Sequence, residues 1–180
     1  QLLKEISVDQ IVITPNQQPP HKSTPVTAPH HRMALLELAL PMFPIHNYIN
    51  YSDKKIDYKI SDVELNRSGN SYTYDTVMSM KENDPTDSHW GLLIGGDNFL
   101  LFHHWHYYKA LAEKVIIVVV PRNGVDGDTY SRYQQQYKLP HCHILSSGTV
   151  SISSSQIRNK SKKTGIATVD DYIASHGLYR

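Results

Sequence analysis

The stretch that decides the fold is "KVIIVVV" at Lys114 to Val120, an apolar, β-branched run that stops at Pro121. "QIVIT" at Gln10 to Thr14 stops in the same way at Pro15, and "WGLLIGG" at Trp90 to Gly96 ends in glycines. Near-continuous apolar strands of this kind are typical of a parallel sheet that is covered on both faces. The sequence therefore predicts parallel strands in all three stretches.

Helical patterns lie between the predicted strands. Apolar residues recur at helical spacing, and Thr168 and Asp171 have the spacing of a capping box. Strands that alternate with helices predict an α/β fold with a doubly wound, Rossmann-like parallel sheet. Helices are predicted at His30 to Leu40, Ser71 to Asn83, Trp105 to Glu113 and about Val169 to Ser175, and the tyrosine-rich stretches Pro41 to Lys59 and Gly127 to Pro140 are predicted as loops or short irregular elements.

Length and charge restrict the class of protein. A chain of 180 residues predicts one domain with a substantial core. With 18 Lys and Arg against 17 Asp and Glu, the net charge is +1, so the broad basic surface of a nucleic-acid-binding or membrane-surface protein is absent. Any anion site must therefore be local.

Cysteine content and hydropathy indicate a compartment. The single cysteine, Cys142, excludes an internal disulfide and a zinc site of cysteine pairs. The longest strongly apolar run, Val115 to Val120, is far shorter than the roughly 20 residues that span a bilayer. We therefore expect a cytoplasmic protein without membrane contact, and homo-oligomer formation stays open.

Polar side chains follow the predicted strands. Asn16, His21 and Lys22 lie in "TPNQQPPHK", a loop whose prolines restrict the backbone and whose far end could meet a phosphate. Arg122 follows another strand in "VVVPR". Carboxyl ends of parallel strands meet at one edge of a sheet, which is where open α/β sheets bind ligands.

Gly95 and Asp97 follow the strand in "LLIGGDNF". Glycine lets the backbone approach a ligand, and a carboxylate can accept hydrogen bonds from ribose hydroxyls. A tight turn in which Asp97 caps the next helix is the alternative.

"SISSSQIRNK" at Ser151 to Lys160 has two readings. Serines are favoured at helix N-caps. The hydroxyls of Ser153, Ser154 and Ser155 and the free N–H groups at a helix start, with Arg158 close to the same end, would also suit a phosphate.

"FHHWHYY" at Phe102 to Tyr108 is rich in histidine, but His103, His104 and His106 do not share one helix face and no nearby cysteine completes a ligand set. No protein-bound metal is predicted there. Trp105 could stack on a flat heterocycle or anchor the core.

As an ordered set, these motifs resemble those of bacterial nicotinate-nucleotide adenylyltransferases. "TPNQQPPHK", "HHRMALLELAL", "SYTYDT", "IGGDNFLLFHHWHYYKAL", "VVVPR", "ISSSQIR" and "YIASHGLYR" occur in the family's order and cover nearly the whole chain. "ISSSQIR" is similar to the ISSTxIR signature of the wider nucleotidyltransferase superfamily, with Ser155 in place of threonine. The resemblance implies a nucleotidyltransferase-type fold.

The resemblance also implies an activity in NAD biosynthesis: ATP, with Mg²⁺, and nicotinate mononucleotide give deamido-NAD and pyrophosphate. It implies that Trp105 stacks on the pyridine ring, that Thr73 lies beside that ring, and that N–H groups around Trp105, His106 and Tyr107 hold the nicotinate carboxylate. By the same resemblance, Asn16, His21 and Lys22 would line the nucleotide and phosphate side, and Gly95 and Asp97 would line the ribose region. The segment Ile152 to Ser155 would contact ATP, and Arg158, with Arg122, would contact its triphosphate. Lys22 and Arg158 would act in catalysis.

One family motif, "GGTFDPxHxGH" with its two phosphate-contacting imidazoles, is absent, and "FPIHN" at Phe43 to Asn47 does not replace it. We therefore expect that residues 1–180 are a single nucleotidyltransferase domain without its first strand and part of its first helix, with little or no turnover. The alternatives are a related nucleotidyltransferase that uses nicotinamide mononucleotide or phosphopantetheine, and a non-catalytic nucleotide-binding protein.

Overall fold

The computed structural model describes residues 2–18, 27–43, 45, 48, 50, 53–84, 86, 88–121, 125–146 and 163–179. Short 3-10 helices lie at Leu40–Met42 and Phe102–His104. The helices and strands are, in chain order, α1 (Leu2–Glu5), β1 (Gln10–Ile13), α2 (Pro29–Ala39), β2 (Asp57–Ile60), α3 (Thr73–Glu82), β3 (Gly91–Gly95), α4 (Gly96–Phe99), α5 (Tyr108–Lys114), β4 (Ile116–Val120), α6 (Gly127–Tyr137), β5 (Cys142–Ile144) and α7 (Ala167–Ser175).

Contacts divide the chain into two compact units. The β3–β5 unit comprises Gln1–Glu5 and Tyr72–Ser151, and the β1–β2 unit comprises Ile6–Ser71 and Ile152–Arg180. The expectation of one domain over residues 1–180 stays a prediction.

Every strand pairing in the described residues is parallel. In the β1–β2 unit, Gln10 pairs with Asp57 and Ile13 with Ile60. In the β3–β5 unit, β4 lies between β3 and β5. The prediction of an α/β fold with parallel strands that alternate with helices is confirmed.

The core of the β3–β5 unit forms around β4. The side chains of Ile117 and Val119 have no exposed surface, and Leu111 of α5 is equally buried against the same cluster. Burying a side chain of this size stabilises a fold by roughly 1.5–3 kcal/mol. The apolar run that decides the fold thus forms the centre of this unit.

The prediction of a loop at Gly127 to Pro140 is wrong, because α6 occupies most of this stretch. Asp126 caps the helix by accepting a hydrogen bond from the N–H of Asp128 at 3.3 Å. Tyr130 and Tyr133 are buried on one face of α6. Tyrosines at spacings of three and four residues supply the apolar face that aliphatic residues supply in other helices.

Two further boundaries differ from the prediction. β2 begins at Asp57, within a stretch predicted as irregular. It pairs with β1, but its polar side chains give no apolar pattern that would predict a strand. α7 begins at Ala167, so the predicted capping pair of Thr168 and Asp171 is wrong.

In the described part of the chain, every helix is too short or too polar to cross a membrane.

Candidate functional site

The structure describes about half of the residues predicted for the site. These are Asn16, Thr73, Gly95, Asp97, Trp105, His106 and Tyr107. The remaining predicted residues lie outside the described part of the chain: His21, Lys22, Arg122, Ile152, Ser153, Ser154, Ser155 and Arg158.

Aromatic rings join the start of α3 to the loop that precedes α5, within the β3–β5 unit. The ring of Tyr72 lies 4.4 Å from the ring of His106, with 31° between their planes. The ring of Tyr74 meets that of Tyr107 edge-on at 5.2 Å. We name Tyr72, Tyr74, His106 and Tyr107 the four-ring cluster. Since Thr73 lies between two of its members, the structure brings the backbone of Thr73 close to His106 and Tyr107.

The backbone of this loop offers hydrogen-bond donors. The N–H of Trp105 is occupied, because it donates to the carbonyl of Phe102 at 2.9 Å. Within the described residues, the N–H groups of His106 and Tyr107 make no hydrogen bond. Tyr107 has a left-handed conformation, with φ 50° and ψ 37°. Two neighbouring free N–H groups are suited to an anion, since unpaired backbone donors need a partner.

Trp105 fits both readings that the sequence leaves open. Its indole is half-buried and packs against the core, where its centroid lies 5.2 Å from the ring of Phe102. Core packing fixes one side of the indole, and the exposed part can contact a ligand. A rigidly held indole is well suited to stacking because little conformational entropy is lost on binding.

The carboxyl end of β3 carries Gly95 and Asp97. Gly95 is the N-cap residue of α4, and Asp97 lies exposed in the first turn of that helix. The N-cap residue is Gly95, so Asp97 does not occupy the cap position that the alternative reading requires. An exposed carboxylate beyond a parallel strand is at a position where such sheets bind ribose.

Gly96, in contrast, has a packing role. A Cβ atom built at Gly96 would lie 2.7 Å and 2.8 Å from the Cζ and Cε1 atoms of Tyr130 and closer still to its hydroxyl oxygen. Both residues are buried. The second glycine of the pair is therefore required because the side chain of Tyr130 in α6 leaves no room for a Cβ atom at this position.

In the β1–β2 unit, the loop after β1 is held at several backbone groups. The guanidinium of Arg32 donates to the carbonyl oxygen of Asn16 and, at 3.2 Å, to that of Thr27. The hydroxyl of Ser71 accepts the N–H groups of Gln17 at 3.0 Å and Gln18 at 3.3 Å. Partial burial lowers the pKa of Arg32. These bonds fix the backbone next to Asn16, whose side chain is exposed.

The histidine-rich stretch packs against α6. The N–H and the Nδ1 atom of His103 both lie within hydrogen-bond distance of the Tyr133 hydroxyl, at 2.9 Å and 2.8 Å. The ring of His103 stacks on Tyr137 at 4.4 Å. Partial burial and the adjacent His104 lower the pKa of His103, and burial raises the pKa of Tyr133. His103 is a packing residue.

The described residues include no group of three or more His, Cys, Asp or Glu suited to hold a metal ion. A surface groove of about 670 Å³ in the β3–β5 unit is lined by Tyr108, Lys109, Ala112 and Glu113 of α5 and by residues 136–141. It contains none of the predicted site residues. The candidate site is therefore defined by the strand end and the four-ring cluster.

Sequence reasoning missed Tyr72, Arg32 and Ser71. Tyr72 and Ser71 belong to "SYTYDT", where they were read as part of a helix start. Ser71 instead accepts hydrogen bonds from a distant loop, and Tyr72 contacts a distant ring. Such contacts leave no local pattern in a sequence, although an aromatic residue on each side of Thr73 is a usable signal.

A family model described as cytidylyltransferase-like matches residues 1–160, which is most of the chain. The chain belongs to the cytidylyltransferase-like family. The start of α3, the carboxyl end of β3 and the loop before α5 all lie within the matched residues. The predicted nucleotidyltransferase-type fold is thereby confirmed.

Curated relatives of this cytidylyltransferase-like chain are similar over nearly its whole length. A probable nicotinate-nucleotide adenylyltransferase of Trichormus variabilis is 30% identical over 195 residues, which cover 98% of this chain and 86% of the relative. One from Pectobacterium atrosepticum is 28% identical over 201 residues, with 99% and 88% covered. The resemblance that the motifs indicated is confirmed.

Solved structures agree in fold. Plasmodium falciparum nicotinic acid mononucleotide adenylyltransferase, complexed with NaAD, has a TM-score of 0.65 and 19% identity. The match covers 96% of this chain and 83% of that one. The same enzyme complexed with APC has a TM-score of 0.68 and 17% identity, with the same coverage. This similarity supports the nucleotidyltransferase fold of the cytidylyltransferase-like chain.

Proposed function

We infer that the protein is a nicotinate-nucleotide adenylyltransferase, which transfers the adenylyl group of ATP to nicotinate mononucleotide in NAD biosynthesis. The products are deamido-NAD and pyrophosphate. The observation that carries this inference is similarity over nearly the whole chain to proteins of that name. The loop before α5 adds a local feature that suits the pyridine substrate.

At the pyridine end, we assign stacking to Trp105 and carboxylate binding to the N–H groups of His106 and Tyr107. Two unpaired N–H groups can donate charge-assisted hydrogen bonds to a carboxylate. The amide of nicotinamide would turn its own NH₂ donors towards one of them, so discrimination against the amide follows. Thr73 lies next to this loop through its neighbours Tyr72 and Tyr74.

At the nucleotide end, we assign the ribose region to Gly95 and Asp97. Both follow the carboxyl end of a parallel strand, and the carboxylate of Asp97 is exposed. Asn16 follows β1 in the same way, and we assign it with His21 and Lys22 to the phosphate side of the nucleotide.

The reaction needs no protein nucleophile. An oxygen of the nicotinate mononucleotide phosphate forms a bond to the α-phosphorus of ATP, and the bond from that phosphorus to the bridging oxygen of the β-phosphate breaks. Pyrophosphate leaves with the electron pair of that bond. Alignment of the two substrates and stabilisation of the charge that develops account for such catalysis.

Cationic residues would supply that stabilisation. We assign it to Lys22 and Arg158, with Arg122 and the segment Ile152 to Ser155 in contact with the ATP phosphates. Mg²⁺ enters as part of the ATP substrate, because it binds phosphates with few protein ligands.

Calorimetry and a pyrophosphate-release assay test the function. The protein is titrated with nicotinate mononucleotide and with nicotinamide mononucleotide, and product formation with ATP and Mg²⁺ is followed in parallel. We expect the acid to bind about tenfold or more tightly than the amide, because the amide turns an NH₂ donor towards one of the two N–H groups and leaves that group unpaired. Equal affinity for both would contradict the nicotinate assignment. Binding of ATP and the acid without pyrophosphate release would instead indicate a non-catalytic nucleotide-binding protein.

A further inference from the structure

The four-ring cluster connects two elements of the β3–β5 unit that are distant in sequence. Tyr72 precedes α3, and His106 follows the 3-10 helix 34 positions further along the chain. The two ring centroids lie 4.4 Å apart, and the ring planes are tilted by 31°. A ring contact this close has a defined geometry.

The loop that carries His106 has few backbone constraints of its own. The N–H of Trp105 bonds to Phe102, and the N–H of Tyr108 bonds to Trp105 at 3.2 Å. Between these bonds, the N–H groups of His106 and Tyr107 have no partner within the described residues. Tyr107 is 61% exposed and has a positive φ, which is unfavourable for a residue with a Cβ atom. The carbonyl oxygen of Tyr107 accepts the N–H of Leu111 at 2.9 Å, and the ring contacts of His106 and Tyr107 add to this backbone hold.

Tyr72, in contrast, is well anchored. Its carbonyl oxygen accepts the N–H of Thr76 at 3.2 Å and the Thr76 hydroxyl at 3.3 Å. Thr76 is buried in the first turns of α3. The ring of Tyr72 thus extends from a fixed helix start to a loop in which the N–H groups of His106 and Tyr107 make no hydrogen bond within the described residues.

We propose that Tyr72 is a positioning residue that, through its ring contact with His106, holds the loop N–H groups in place to select a pyridine carboxylate over the corresponding amide. Tyr72 acts through His106 and does not itself contact the reacting atoms. The inference rests on the proposed function, because the carboxylate is the group that those N–H groups bind. Tyr74 contributes a weaker, edge-on contact to the next residue of the loop.

The test compares Tyr72→Ala with Tyr72→Phe, using calorimetric dissociation constants for nicotinate mononucleotide, nicotinamide mononucleotide and ATP. Tyr72→Phe keeps the ring and should keep the acid-to-amide affinity ratio of the wild type. Tyr72→Ala should lower that ratio by roughly threefold to tenfold, the range of one aromatic contact, and leave ATP affinity unchanged. A merely structural residue would weaken both ligands together and leave the ratio unaltered.

Tyr137→Ala is the matched control. Tyr137 stacks on a histidine at 4.4 Å, but its ring contacts are with His103, Tyr108 and Tyr133, none of which belongs to the four-ring cluster. This variant should lower the unfolding midpoint and leave the acid-to-amide ratio unchanged. If the wild type discriminates and Tyr72→Ala has the same acid-to-amide affinity ratio, the positioning role of Tyr72 is overturned and the proposed function stands. The same follows if Tyr137→Ala changes that ratio as much as Tyr72→Ala does. A wild type without discrimination would overturn the proposed function first.

Discussion

Gly96 shows how one atom can decide the packing of an element. It is buried at the start of α4, directly against the fully buried Tyr130 of α6. A methyl group there would overlap the tyrosine ring. Because Tyr130 has no exposed surface, its ring can move only if the surrounding core also moves.

We expect Gly96→Ala to lower the free energy of unfolding by about 1–3 kcal/mol, the usual cost of an extra group in a filled core. Urea denaturation measures the change. Gly127→Ala is the control, since nothing lies within 4 Å of a Cβ atom built at Gly127, which begins α6. The control should change stability by no more than about 1 kcal/mol, in either direction. A wild-type midpoint for Gly96→Ala would contradict the packing role.

The glycine pair also marks what the sequence can predict at the scale of residues. The pattern "IGGD" indicates a strand end near a ligand, and Gly95 and Asp97 occupy that end. It does not distinguish a glycine that admits a ligand from one that admits a tyrosine 34 residues later. Only the contacts in the folded protein show which of the two glycines packs against the tyrosine.

At the scale of elements, α2 and α7 pack through a cluster of aromatic rings. The Nδ1 atom of His31 lies 3.0 Å from the Tyr172 hydroxyl, and the ring of Tyr172 stacks on that of His176 at 4.0 Å. Partial burial lowers the pKa of His31, and His30 and His176 lower it further. The packing therefore favours the neutral imidazole.

This cluster predicts a pH dependence of stability. In the unfolded chain, His31 has an ordinary pKa of about 6.5, so on acidification the unfolded state binds the proton before the folded state does. The contribution of His31 is complete above about pH 6.5 and is lost as the pH falls below that value. We expect His31→Gln to flatten the fall in unfolding free energy between about pH 7 and pH 5, measured by urea denaturation. A slope identical to that of the wild type would count against the cluster; part of the slope should remain, because the pKa of His103 is also lowered.

Element prediction succeeds where apolar residues carry the pattern. The apolar runs give β1, β3 and β4 close to their observed bounds. It fails for α6, whose buried face is made of tyrosines, and for β2, whose strand residues include Asp57 and Lys59. In both cases, tertiary packing or a paired strand stabilises a sequence that has little local preference.

At the scale of the whole molecule, the two units differ in how deeply their strands are buried. β4 is paired on both sides and contains Ile117, Val118 and Val119, all buried. In the β1–β2 unit, every strand residue is half-buried or exposed. Local opening requires the loss of buried contacts, so its free energy differs between these sheets.

Hydrogen exchange should reflect this difference. We expect the amides of Ile117 and Val119 to exchange most slowly and those of β1 and β2 at least about tenfold faster. Exchange followed by NMR at neutral pH provides the comparison. Equal protection of both sheets would mean that the described part of the chain opens only by complete unfolding.

Cys142 is the only cysteine in the sequence, and burial raises the pKa of its thiol to about 11. Because the thiolate is the form that reacts with alkylating reagents, the Cys142 side chain reacts slowly with them near neutral pH. A cysteine engineered on the surface would therefore accept a fluorophore or spin label selectively, without prior removal of the natural one.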